Sequence, residues 1–178
     1  MSEFFNLPAI ITDKVDLSDY SVREKIEIVE WYMKAAINNI ASTLEIRDFV
    51  DDGYYFREMI IPPGIVAIGK VHLFKHIFVI LDGTLELSTD DFTQKVTADV
   101  EHPFVAVIPS NSKKIVYTHT KCVLATFHKT DGKDDDKEQI NDSTVAESDL
   151  TWVSELMAGH GITEDSIMRL DRSGGVIW

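Results

Sequence analysis

Two of the six histidines, His72 and His76, stand four residues apart in a β-prone stretch. On an extended chain His72, Phe74, His76, Phe78 and Ile80 share one parity, and alternate side chains point to one face of a strand. Both imidazoles then enter the protein interior beside aromatic and aliphatic neighbours. A neutral imidazole carries a nitrogen lone pair, so the pair can ligate a transition metal. A third ligand depends on parity further along. Cys122, Leu124, Thr126 and His128 share one face. If that face points inward, His128 completes a three-histidine site with an open position, suited to Zn, Fe, Mn or Ni. If Val123, Ala125 and Phe127 point inward instead, His128 lies on the surface. The plainer alternative is a set of interior histidines satisfied by hydrogen bonds, with no metal.

Three cations define a second possibility. Lys70 and Lys114, if both face the interior near His72, make a positive pocket in an otherwise acidic chain, suited to a carboxylate or phosphate. If not, they are solvated lysines at strand ends. Arg57 is a further ligand-binding candidate. Its neighbour Glu58 has the opposite parity, so the two do not act from one face. His102 before Pro103, His119 in a turn and His160 between two glycines read as exposed or loop residues. Cys122 reads as a small buried hydrophobe, not a nucleophile. There is no Gly-x-Ser-x-Gly elbow, Walker A loop, dinucleotide fingerprint or His-Glu-x-x-His, so the catalytic residues are unknown.

Short strands must position these groups. Tyr54 to Ile61, Ile65 to Ile68, Ile77 to Leu81, Leu85 to Leu87, Phe104 to Ile108, Ile115 to Tyr117 and Cys122 to Phe127 are β-prone runs. Turn signals such as Pro62-Pro63-Gly64 and Asp82-Gly83 divide them. This pattern predicts an all-β sandwich or barrel over 48–130, and no helical period interrupts it. Residues 1–47 form an arm containing Pro8, then a helix. Ser21 and Glu24 make a capping box, and Val22, Ile26, Val29, Met33, Ala36 and Ile40 give one apolar stripe. Glu24, Glu27, Glu30, Lys34 and Asn38 fall on the opposite face. Asp131 to Ser143 reads as an acidic, solvated linker. Over 144–178 two short helices are expected. One is capped by Ser148 or Asp149 and carries Leu150, Trp152, Val153, Leu156 and Met157. The other starts at Thr163 and ends near Gly174-Gly175.

The 178 residues carry a formal charge of -13, which excludes broad attraction to nucleic acid or an anionic membrane. Hydrophobic residues are 44%, as in a folded globular chain and not a wholly disordered one. A single cysteine excludes an intrachain disulfide and fits a reducing compartment. No apolar run reaches membrane-spanning length and no signal peptide is read at the start, so a cytoplasmic location is expected.

Residues 53–128 resemble the cupin superfamily. The first motif runs from Pro63-Gly64 through Gly69-Lys70-Val71-His72-Leu73-Phe74-Lys75-His76 to Leu81-Asp82-Gly83. The second runs from Phe104 to Ile108 and then Pro109-Ser110-Asn111-Ser112-Lys113-Lys114. Arg57-Glu58-Met59, Ile61 to Gly64, Lys113 to Tyr117 and Thr126-Phe127-His128 are similar to small bacteriophage-encoded cupin-like proteins. The resemblance implies a mainly β fold: a cupin-like double-stranded β-helix (jelly-roll) barrel with an N-terminal α-helix and C-terminal short helices. Metal-binding cupins place two histidines and a glutamate in the first motif and a histidine in the second. Here those positions are Lys70, His72, His76 and Lys114, so the usual four-ligand set is broken. An ammonium has no lone pair and repels a cation.

The expectation is therefore a non-enzymatic, phage-type cupin-like protein acting as a binding, structural or assembly module. It would reside in the host cytoplasm if phage-encoded. One alternative is a small metal-dependent cupin enzyme, of dioxygenase or isomerase type, using His72 and His76. Another is a metal-free pocket for an anionic small molecule. Cupin barrels commonly pair, so a homo-oligomer is expected, its joint covered by the flanking helices. A phage or host protein is a further expected partner.

Overall fold

The computed structural model describes residues 9–36, 44–130, 140 and 144–167. Ten strands and three helices have bounds within them. The helices are α1 (Ala9–Thr12), α2 (Val22–Ala36) and α3 (Thr151–Gly159). The strands are β1 (Glu45–Asp51), β2 (Tyr54–Ile61), β3 (Val66–Ile68), β4 (Val71–His72), β5 (His76–Thr89), β6 (Thr93–Ala98), β7 (Phe104–Ile108), β8 (Lys114–Thr118), β9 (Cys122–Lys129) and β10 (Val145–Ala146). All the pairings are antiparallel. The mainly β barrel with a preceding helix and a following short helix is as expected.

β5 organises the barrel. Ile77–Leu81 and Leu85–Leu87 were expected as separate strands divided by a turn at Asp82-Gly83. They are one 14-residue strand with a bulge between Ile80 and Asp82. An extra residue bends a strand and raises its local twist. The first half of β5 pairs with β7 and β9, the second with β6 and β8. One strand thus crosses from one wall to the other. Gly83 sits at the corner with φ +105, and a Cβ there would lie 2.5 Å from the Lys121 carbonyl oxygen and 2.7 Å from Cys122 Sγ. Glycine alone has the room and the left-handed freedom.

The order along the sheet is β1-β2-β9-β5-β8-β3, with β6 and β7 also on β5. β1 begins at Glu45 and turns into β2 through Asp52 (φ 39) and Gly53 (φ 81), the positive pair of a tight hairpin. β1 and β6 are rich in charged and polar residues and so gave no hydrophobic signal. Both occupy ends of the pairing pattern, where such residues are solvated. β10 pairs with β4 in a separate two-stranded sheet, Val145 opposite His72 and Ala146 opposite Val71.

Two cores result. The inner core joins Ile61, Phe78, Ile80, Leu85, Leu87, Ile108, Val116, Cys122 and Leu124. The second lies outside the β3–β8 wall. There Ile115, Val66, Ile68 and Tyr117 meet α2 through Ile26, Ile28, Val29 and Trp31, and α3 through Val153 and Met157. The helices therefore pack on their own barrel. The capping box forms: Ser21 N–H donates to Glu24 Oε2 at 2.7 Å, and Glu24 N–H to Ser21 Oγ at 3.2 Å. Indole N–H groups tie α2 to α3, Trp31 to Ser154 Oγ at 3.0 Å and Trp152 to Glu27 Oε2 at 2.9 Å.

Glu30 departs from expectation. It was placed on the polar face of α2 but is buried, because it meets the fully buried Lys113 with Nζ to Oε2 at 2.7 Å. Lys113 also donates to Ser148 Oγ at 2.5 Å. Burial lowers the Lys113 pKa and Glu30 opposes that shift. The ion pair stitches helix, barrel wall and C-terminal segment together.

The arm holds a short helix, α1, with Ile11 in the outer core. Most of the expected acidic linker lies outside the described residues, as do Asn38, Ile40 and the end of the last helix. Within that linker Ile140 is described, and it is buried, not solvated. Asp149 Oδ1 accepts from Thr151 N–H at 3.0 Å at the start of α3, and Gly161 follows the helix with φ +67. Thr163 Oγ1 accepts from Ser166 N–H at 3.2 Å as a further helical turn opens over 164–167.

Removing one partner from a buried ion pair strands the other, so Glu30→Ala is expected to cost about 3–5 kcal/mol in chemical denaturation. Glu30→Leu with Lys113→Met replaces both charges and should cost far less. An equal loss in both variants would show that the pair's charge is not what matters.

Candidate metal centre

His72 ends the two-residue β4, and its backbone is fixed from both sides. Its N–H donates to the Ser112 carbonyl at 2.9 Å, and its carbonyl accepts from Asn111 N–H at 2.6 Å. It also pairs with Val145 of β10. His76 opens β5 opposite Ile108, and His128 lies on β9 opposite Tyr55. The common parity expected for 72–80 does not hold throughout. The chain leaves the strand at 73–75 and Phe74 is 56% exposed, so His72 and His76 converge from two strands.

The open question over His128 is resolved. Cys122, Leu124, Thr126 and His128 are all buried, while Phe127 is exposed. Three imidazoles therefore meet inside the barrel. Their ring centroids are 4.0 Å apart for His72–His76, 4.6 Å for His76–His128 and 5.0 Å for His72–His128, with planes within 22°. One ligand nitrogen from each lies within 4.8 Å of the others.

Lys114 completes the cluster. It opens β8, is 6% exposed, and its Nζ lies 2.7 Å from His76 Nε2. His76 Nδ1 lies 3.2 Å from the Phe74 carbonyl, which only accepts, so Nδ1 carries the proton and Nε2 the lone pair. Lys114 donates to that lone pair. Its Nζ also stands 5.3 Å from the Phe78 ring centroid. Cys122 is buried, and burial pushes its thiol pKa up.

Burial without a neighbouring free carboxylate disfavours every proton here. Desolvation first, and the Lys114 charge second, lower His72 strongly and take His76 to about 3. The same two causes take His128 to about 4. Desolvation lowers Lys114 to about 7. The histidines are neutral at physiological pH, which is the ligating form.

Arg57 faces the same interior, since it pairs with Thr126 on β9 and its charge acts on His72 and His128. Asp48 holds it in a fork, with Nε to Oδ1 at 2.8 Å and the second nitrogen to Oδ2 at 3.2 Å. Burial works against the Arg57 charge, but the Asp48 hydrogen bond and its other partners leave its pKa raised. Tyr55 O–H donates to the same Asp48 Oδ1 at 2.7 Å. Asp48 and Tyr55 were not foreseen as site residues. Their signal was faint: Tyr55 alternates with Arg57, and Asp48 sits in a strand with no hydrophobic pattern. Glu58 points the other way, toward Arg47 at 3.7 Å.

Lys70 is not part of the site. Its side chain is 45% exposed and pairs with Glu147 Oε1 at 3.0 Å. Its ammonium reaches a carboxylate near water, which is cheaper than entering the barrel. The two candidate lysines thus separate, one inside and one solvated. His102 is exposed, His119 contacts Glu86 Oε1 at 3.0 Å, and His160 closes α3 in solvent.

The donor set fits a metal in chemistry. Nδ1 of His72 and Nδ1 of His128 are buried and have no hydrogen-bond partner, and an orphaned buried nitrogen is costly. In a tetrahedral site with Zn–N near 2.1 Å, ligand nitrogens stand about 3.4 Å apart, so nitrogens now within 4.8 Å of one another would have to close by up to about 1.4 Å. Lys114 stands on His76 Nε2 and would have to withdraw.

No family model matches the chain, and no curated protein does. Similar solved structures include the cupin domain of Cnp3 from Schizosaccharomyces pombe, at 17% identity and TM-score 0.42, over 50% of this chain and 66% of that one. A cupin superfamily protein from Desulfitobacterium hafniense matches at 11% identity and TM-score 0.42, over 49% of this chain and 78% of that one. A predicted oxalate decarboxylase from Thermotoga maritima matches at 16% identity and TM-score 0.41, over 49% of this chain and 80% of that one. These overlaps take in about half of the chain.

The lowered Lys114 pKa sets a pH dependence. Between about 7 and its ordinary 10.5 the unfolded chain binds more protons than the folded one, so stability rises with pH across that window. Lys114→Met should flatten that rise in metal-free protein, as read from unfolding midpoints. Stability should fall as pH drops below 6.5 toward 3, where the unfolded histidines are protonated and the folded His76 is not. A wild-type curve with the same slope as Lys114→Met above pH 7 would contradict the buried, deprotonating amine.

Proposed function

We propose that the barrel is a cupin-like metal-binding module that takes a small anionic ligand. The observation that carries this reading is the convergence of three buried, neutral histidines, two with orphaned Nδ1 atoms. His72, His76 and His128 would hold a divalent ion such as Zn, Fe, Mn or Ni. When bound, that ion supplies Lewis acidity and, for iron or manganese, oxygen activation.

The chain's own groups define what else the site accepts. Three neutral imidazoles bring no negative charge, and Asp48 is engaged by Arg57 and Tyr55. A bound cation beside Lys114 and Arg57 leaves the interior positive, so a carboxylate-bearing small molecule is the fitting partner. Arg57 is held in place by its fork to Asp48 and aims charge at the cluster. Lys114, released from His76, is the group free to turn toward such an anion. Dioxygenase- or isomerase-type chemistry is compatible with this arrangement.

A second reading keeps the barrel as a non-enzymatic binding or assembly module. The resemblance to phage-encoded cupin-like proteins and the exposed apolar residues on one wall support it. In that case a phage or host protein is the partner.

Elemental mass spectrometry on protein purified without chelators tests the metal. Near-stoichiometric Zn, Fe, Mn or Ni is expected, lost in His72→Ala/His76→Ala. Added metal at about 100 times its dissociation constant should stabilise the wild type by about 2.7 kcal/mol in thermal unfolding and leave the double variant unchanged. Lys114→Met removes the competing ammonium and should bind metal more tightly than wild type. Metal-free protein that shows no thermal shift with any of the four ions would overturn the reading.

A further inference from the structure

The three histidines of the cluster are held by unequal means. His76 opens the 14-residue β5 and His128 lies within the eight-residue β9, strands that barrel neighbours pair on both sides. His72 ends β4, which has two residues. Its Nδ1 has no hydrogen-bond partner, so the backbone carries much of the orientation of the ring. One side of β4 rests on β10, where Leu73 N–H donates to the Thr144 carbonyl at 2.9 Å. The alternation of an antiparallel ladder makes Val71 and Ala146 the next hydrogen-bonded pair. The other side rests on the turn before β8, through the His72 bonds to Ser112 and Asn111.

Both supports are tied to α2. Arg23 Nη1 donates to the Asn111 carbonyl at 3.2 Å and to Asp90 Oδ2 at 3.3 Å, and Asp90 also accepts from Lys113 N–H at 3.3 Å. Just past β10, Ser148 Oγ accepts from Lys113 Nζ, the partner of Glu30 on α2. Glu147 bridges Lys34 of α2 at 3.6 Å and Lys70, two residues before His72, at 3.0 Å. The exposed bridges of Glu147 contribute little by themselves, and the buried Lys113 contact is the firmer anchor.

We propose that residues 144–148 are a strap that positions His72, and that docking of α2 and metal binding are coupled through this one ligand. The inference rests on the three-histidine metal reading of the site. A metal that draws His72 toward His76 and His128 fixes β4, and β4 in turn fixes β10 and the turn before β8. Release of the strap frees His72 and leaves His76 and His128 on their long strands. Linkage makes the coupling reciprocal: what the metal gains from a docked strap, the strap gains from the metal. A general packing role differs from this one, because here the effect passes through a single imidazole.

Two variants of the full chain loosen the strap at different points. Ala146→Pro removes an N–H from the β10–β4 ladder, and Ser148→Ala removes the anchor to Lys113. Circular dichroism checks their folding, and Ser148→Ala, the milder change, gives the same readouts where Ala146→Pro unfolds. In calorimetric titration with Zn²⁺, Ala146→Pro should raise the dissociation constant about 10-fold or more, and Ser148→Ala should raise it less. In a His72→Ala background neither change should weaken binding further, which a double-mutant cycle reads directly. Zn²⁺ should slow hydrogen exchange at Leu73 and Ala146 more than along β6. Diethyl pyrocarbonate labels imidazole nitrogen and reports on the metal-free protein: Ala146→Pro should label His72 faster and leave His128 at the wild-type rate. Equal weakening with and without His72 overturns the proposal, because the strap then acts on the fold at large. Unaltered Zn²⁺ affinity in both variants, or unaltered labelling of His72, overturns it while leaving the metal reading intact. A wild type that takes up no Zn²⁺ overturns the coupling together with that reading, and the labelling then decides whether the strap positions His72.

Discussion

Among the described residues, the barrel interior holds four nitrogen bases, and its nearest carboxylate, Asp48, is already engaged by Arg57 and Tyr55. His72, His76, His128 and the Lys114 amine lie within a few ångströms of one another, all buried. Such a cluster cannot carry several protons, because each charge is desolvated and repels the next. The chain resolves this by keeping the imidazoles neutral and resting Lys114 on the one lone pair that faces it. The Phe74 carbonyl fixes the His76 proton on Nδ1, so even the backbone turn at 73–75 contributes. Neutral histidine nitrogens, two of them unpartnered, are the chemical capital of the fold.

Adjacent residues show how the barrel separates charge. Lys113 and Lys114 sit side by side, and strand alternation sends them to opposite faces of the wall. Lys113 keeps its charge close to Glu30 of α2 and donates to Ser148. Lys114 finds no carboxylate and contacts His76. One lysine therefore fastens the helical layer to the barrel, and the other tunes the site. Displacing α2 would affect both, since Lys113 immediately precedes β8 and Lys114 opens it.

The same alternation governs the outer surface. β8 and β3 turn Ile115, Tyr117, Val66 and Ile68 outward, and α2 and α3 cover them. β7, β5, β9, β2 and β1 turn Val107, Ile77, Phe127, Phe56 and Phe49 outward, and there the row remains largely exposed. The described helices α2 and α3 pack on one wall of their own chain.

The sequence by itself determined the local and periodic features. The Ser21–Glu24 box, the helix it opens, and the strands at Tyr54–Ile61 and Phe104–Ile108 follow from side-chain chemistry and period. Those depend on neighbours a few residues away. Tertiary structure decided the rest. Whether His128 faced inward depended on which face of β9 its pairing with β2 and β5 turned toward the barrel. Glu30 became buried because Lys113 lay opposite it, more than eighty positions away. Lys70 and Lys114 looked alike in sequence, and a carboxylate at Glu147 drew one to solvent while the strand carried the other inside. β1 and β6 were invisible because edge strands need little hydrophobic pattern. Long-range pairing sets which groups meet, and a single sequence holds no period that reports it.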